Sequence, residues 1–101
     1  MTVPIILNPA ENEIKGTFNN GDKVLVKCDA SRGAFSVTIP DAEMMEGIEL
    51  RLIKIGTDLN YVTFNGYNAT GTQQTIKSEV QQKLRRPGNE LVINSDDTNW
   101  I

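Results

Sequence analysis

Hydrophobic residues along this chain fall into short runs with a period of two, separated by clusters of Asn, Asp, Gly and Pro. That is the rhythm of strands and turns. Asn19, Asn20, Gly21 and Asp22 read as a turn, and residues 23–28 follow as a strand with Val24, Val26 and Cys28 in one phase. Residues 29–33 turn the chain again. Phe35, Val37 and Ile39 then alternate with Ser36 and Thr38, so one face is apolar and the other polar. Pro40-Asp41 stops this strand. Residues 48–55 form the longest run, and its apolar phase shifts between Leu52 and Ile53; a bulge or a second buried face accounts for such a shift. Residues 61–64 supply another strand, and Asn65-Gly66 after it carries the signature of a tight hairpin, because both residues tolerate positive φ. Glu90–Asn94 is the last clear strand.

Two stretches resist a single reading. Ile76, Val80 and Leu84 recur at helical spacing, with Ser78 and Gln81 placed as a capping box, but the same three residues also fit a period of two. At the start, Val3, Pro4, Ile5, Ile6 and Leu7 make an apolar patch bracketed by Pro4 and Pro9, and residues 8–13 are polar. Proline restricts this segment to extended shapes and sheet edges. Residues 1–15 are expected to form an extended arm, the alternative being an ordinary first strand; residues 16–101 form one all-β domain.

Composition bounds the picture without changing it. The 101 residues suit one domain, and seven Val, ten Ile and seven Leu supply a modest core. Domains of this size often gain burial by associating. With 10 basic and 13 acidic residues the net charge is −3, and Arg85-Arg86 is the only adjacent basic pair, expected on a solvated face. Nucleic acid is a poor partner for such a chain. No run approaches the ~18 apolar residues of a membrane span, and the first residues lack a basic signal region, so neither membrane insertion nor secretion is expected. The single Cys28 is expected as a small buried hydrophobe in a protein made in a reducing cytoplasm.

The residue inventory also removes chemistry. With no histidine, Ser-His-Asp and Cys-His catalysis and His-containing zinc sites are absent. Asp41, Glu43, Glu46, Asp96 and Asp97 remain as acids that could cleave a glycosidic bond or hold calcium. They sit where turns are expected, and turn formation is the role assigned to them. No catalytic residue, cofactor or metal is therefore expected, and the chain is not read as an enzyme. Asn68-Ala69-Thr70 matches a glycosylation acceptor by chance. Met44-Met45 is expected to cover the end of a core, and Trp100 to pack the chain terminus down.

Four segments carry a resemblance: Phe35 to Ala42 (FSVTIPDA), residues 47–55, residues 60–64 (NYVTF) and residues 91–100 (LVINSDDTNW). In order and spacing they resemble the β-module of bacteriophage tail fibres, tail spikes and head fibres, which reads V-T-L-P-D-A, I-K-K, N-x-V-T-I and S-V-T-L-V-S-D-G-T-N-W. Two turns depart from the pattern. The Asp-Gly of the final turn is Asp96-Asp97 here, and a further family Asp-Gly is Lys77-Ser78.

The resemblance spans residues 22–101 and implies a small antiparallel β-sandwich or β-prism unit completed by homotrimerisation. It also favours extended structure over residues 76–84. Phe35, Val37, Ile39, Leu50, Leu52, Val62, Phe64, Leu91 and Ile93 match its strand hydrophobics and, with Trp100, are the expected core and trimer interface. The implied function is a virion structural protein on the outer surface of capsid or tail. At this length a free-standing capsid decoration protein or short head fibre is expected, its arm (Val3, Pro4, Ile5, Ile6 and Leu7) lying on the major capsid protein or another virion protein. A fibre-tip adaptor, or binding of a host surface glycan by the loops around Asn65 to Gln74, with Tyr67 as the one aromatic near them, is the alternative.

Overall fold

In the computed structural model, residues 4–101 are described; Val3 lies outside them. The eight strands are β1 (Ile5–Leu7), β2 (Lys23–Asp29), β3 (Phe35–Ile39), β4 (Glu49–Ile55), β5 (Val62–Tyr67), β6 (Gln73–Gln74), β7 (Gln82–Leu84) and β8 (Glu90–Asn94). A single 3₁₀ turn covers Ala42–Met44. Two sheets result, one ordered β1-β2-β4-β8, the other β3-β5-β6 with β7 also paired to β5. Their inner faces enclose one hydrophobic core.

The all-β expectation holds, but the sheets are mixed, not antiparallel. β1 and β2, β2 and β4, and β3 and β5 pair in parallel, while β8, β6 and β7 add antiparallel strands. The cause is the path of the chain. From β2 to β5 each strand lies in the opposite sheet from the one before it, so the chain winds around the core and returns to a sheet in its original direction. A strand that returns after a crossover pairs in parallel, whereas a tight hairpin would reverse it.

Alternation along each strand decides what enters the core. Val24, Val26 and Cys28 face in from β2, and Phe35, Val37 and Ile39 from β3. In β4 the inward phase is unbroken: Leu50, Leu52 and Lys54 are all fully buried, and Ile53 and Ile55 face outward, half-buried. The shift expected after Leu52 therefore does not occur. A lysine keeps the inward register, and β4 pairs with β2 residue for residue from Glu49 to Ile55.

Asn65-Gly66 is not a hairpin turn. Both residues extend β5, opposite Thr38 and Ile39 of β3. Gly66 is needed there for space: a Cβ at this position would stand 3.0 Å from Ile39 Cγ1. The reversal comes later, at Asn68, whose Oδ1 accepts from Thr70 N and Thr72 N at 3.0 and 2.9 Å. No helix forms over residues 76–84. Ile76 and Glu79 close a two-residue turn with reciprocal backbone hydrogen bonds of 2.7 and 3.1 Å, and Gln82–Leu84 runs on as β7. Ile76 and Leu84 are buried while Val80 is exposed, so their helical spacing is coincidental.

Candidate interaction surfaces

At the end of the sandwich where β3 stops, residues 40–42 and 95–100 close on one another. Pro40 O accepts the indole Nε1–H of Trp100 at 3.0 Å, and Trp100 is fully buried. Ser95 Oγ donates to Ala42 O. Gln74, buried between them, accepts from Ala42 N at 3.0 Å through Oε1, and its Nε2 donates to Asp41 Oδ1 at 2.9 Å and Thr98 O at 3.0 Å. Backbone bonds from Trp100 N to Thr75 O and from Lys77 N to Trp100 O complete the lock.

Two of the acidic residues at this end, Asp41 and Asp96, are occupied by their own turns. Asp41 caps the 3₁₀ turn through Glu43 N, and its second oxygen accepts from Ala69 N at 2.9 Å. Asp96 Oδ1 accepts from Thr98 N at 3.0 Å and Asn99 N at 2.7 Å, and these backbone donors hold its carboxyl below the usual carboxylate range. Among the described residues no three Asp, Glu or Cys side chains converge as a metal site would require. Met45 is buried over the core end as expected, but Met44 is 77% exposed.

The opposite end holds a second polar cluster that the sequence pattern hid. Fully buried Lys54 donates through Nζ to Asp58 Oδ1 at 2.8 Å and to Asp58 O at 2.7 Å. Asp58 Oδ1 also accepts from Asn60 N, and Asn60 Nδ2 donates to Ala30 O at 2.8 Å. The bond from Lys54 first, then the Asn60 backbone donor, pull the Asp58 carboxyl down. A buried lysine is tolerated because its charge meets both a carboxylate and a carbonyl. The apolar residues around it in β4 gave the signal of a phase shift, which concealed an inward lysine.

The residues expected as core and trimer interface all belong to the core or pack against it. Phe35, Val37, Ile39, Leu50, Leu52, Val62, Phe64, Ile93 and Trp100 are buried within the core of one chain, and Leu91 is half-buried against it. They are not surface available to another copy. The outward face of the β1-β2-β4-β8 sheet instead carries Ile6, Leu25, Ile53, Ile55 and Val92, of which Ile6 is 57% exposed and the others half-buried. Of the remaining arm residues, Pro4 is exposed, Ile5 half-buried and Leu7 buried.

Ile5–Leu7 pairs with Val26–Cys28 as an edge strand, and Glu13 then bridges to Thr38 at the edge of the other sheet. The segment expected as an arm thus crosses the side of the sandwich. Beside β1 it forms a groove of about 390 Å³. Cys28, opposite Leu7 in the sheet, is buried, and burial pushes its thiol up to about 12, so it stays protonated and unreactive. Among the described residues no helix is long and apolar enough to cross a membrane. No family model, curated protein or solved structure matches this chain.

Proposed function

We propose that the chain is a bacteriophage virion structural protein: a trimeric capsid decoration protein or short head fibre whose partners are its own copies and the major capsid protein. The observation that carries this reading is the lock between Pro40–Ala42 and residues 95–100. Two of the segments that resemble the fibre module, residues 35–42 and 91–100, hydrogen-bond to each other at this end of the core. Their contact supports reading the two segments together as parts of one unit. The outward apolar residues of β2, β4 and β8 supply a face for lateral association of three copies, and exposed Ile6 beside Pro4 supplies the capsid contact.

The test is co-sedimentation with capsid shells lacking the protein, alongside light scattering. The parent chain is expected to bind shells and to show three times its 11.2 kDa mass. Ile6→Asp, which alters an exposed position, is expected to leave the melting temperature within a degree or two while abolishing shell binding. Deleting residues 1–12 is a poorer probe, because it also removes buried Leu7. A monomer that ignores shells overturns the proposal.

A further inference from the structure

The two ends of the sandwich are oppositely charged. Hydrogen bonds from Trp100 to Pro40 and from Gly21 to Gly47 gather one end, which carries Asp22, Asp41, Glu43, Glu46, Glu49, Asp96 and Asp97 against only Lys23 and Lys77. Bonds from Asn60 to Ala30, Arg85 to Leu59 and Gly88 to Lys54 gather the other, where Arg32, Lys54, Lys83, Arg85 and Arg86 face Asp29, Asp58 and Glu90. Several of these are already engaged. Lys54 pairs with Asp58, and Glu90 pairs with Arg51.

What stays uncommitted at the basic end is a defined patch. Lys83 Nζ and the Arg85 guanidinium lie 5.5 and 5.2 Å from the centroid of the Tyr61 ring, and neither pairs with a carboxylate among the described residues. Arg85 is also tethered through Nε to Leu59 O at 3.2 Å. Exposed Leu59 and Tyr61 give this patch an apolar centre. At the acidic end the 3₁₀ turn presents exposed Glu43, Met44 and Glu46, an apolar tip between two carboxylates.

We infer that the Leu59–Tyr61–Lys83–Arg85 patch receives the Glu43–Met44–Glu46 turn of a second copy, so that molecules stack end to end. Met44 meets Leu59 and the edge of Tyr61, a favourable sulfur–aromatic pairing, while the two carboxylates face the two cations. Patch and turn lie at opposite ends of one molecule, so the contact is heterologous and each added copy leaves a free patch and a free turn. The inference does not depend on the proposed trimer: three copies side by side would present three patches at one end and three turns at the other, multiplying the same contact.

Light scattering over a range of protein concentrations tests it, at salt of about 10 mM and about 1 M, where the screening length falls from roughly 30 Å to roughly 3 Å. In high salt the mass reads the lateral unit, monomer or trimer. In low salt it is expected to grow with concentration in multiples of that unit. The double variants K83E/R85E and E43K/E46K are each expected to stay at the unit mass, and their equimolar mixture to regain growth, because each supplies the complement the other lacks. Met44→Lys, at an exposed tip, should also abolish growth without changing the melting temperature. A mass independent of salt, or charge-reversed variants that associate like the parent, overturns the inference. Neither result bears on the lateral mass read in high salt, which tests the trimer separately.

Discussion

Ser78 and Asp97 occupy backbone conformations that glycine favours, with φ of 69° and 76°. Ser78 follows Lys77 at φ 52° inside the two-residue turn closed by Ile76 and Glu79, so two successive residues hold positive φ, as a type I′ turn requires. A non-glycine residue in the left-handed region costs roughly 1–2 kcal/mol, and glycine returns roughly 0.5–1 kcal/mol of that as lost chain entropy on folding. Ser78→Gly is therefore expected to stabilise by about 0.5–1 kcal/mol. Asp97→Gly should give less, because Asp tolerates this region better than most residues. Its backbone N–H keeps its bond to Ser95 Oγ, and the lost carboxylate makes no hydrogen bond among the described residues. With about 4–8 °C per kcal/mol for a domain of this size, calorimetry should show Ser78→Gly melting a few degrees above the parent. Thr38→Gly, in β3, serves as the control and should melt lower, since glycine in an ordinary strand costs stability. If Ser78→Gly melts at or below the parent temperature while Thr38→Gly melts lower, the turn gains nothing from glycine and the reasoning fails.

Trp100→Ala empties a fully buried site and leaves Pro40 O without its donor, so a loss of about 3–5 kcal/mol is expected in urea unfolding; a change under about 1 kcal/mol would show that the terminus is not held by this residue. Acid provides a further check. Asp29, Asp58 and Asp96 are all held below the ordinary carboxylate range, by Ser31 donors, by Lys54 and by the Asn99 and Thr98 backbone respectively. The unfolded chain therefore takes up protons at higher pH than the native one. Stability from these groups is complete above about pH 5 and is lost as pH falls through the ordinary carboxyl value near 3.9 and on through the lower native values. Denaturant midpoints should be level above about pH 5 and decline steadily below it, and Asp58→Asn should make the decline shallower.

Strand content was written in the period-two runs. Phe35, Val37 and Ile39 could face only one way, and the structure places them there, as it places Val24, Val26 and Cys28. Trp100 beside the chain end announced an anchor, because an indole that size is seldom left in water. Local pattern could not say which strands become neighbours. β2 and β4 are parallel only because β3, between them in sequence, lies in the other sheet, and that path is set by packing two sheets on one core. Asn65-Gly66 failed as a turn for the same reason: pairing with Thr38 and Ile39 outweighed a local preference, and the space Gly66 leaves is filled by Ile39. Lys54 was misread because a charge at an inward position is affordable only with a partner, and Asp58 becomes that partner once the chain has turned at the end of β4. The opposite charges of the two ends were likewise invisible in a scattered list of acids and bases. They arise because the winding of the chain returns its acidic turns to one end and gathers Lys83 and Arg85 around Tyr61 toward the other.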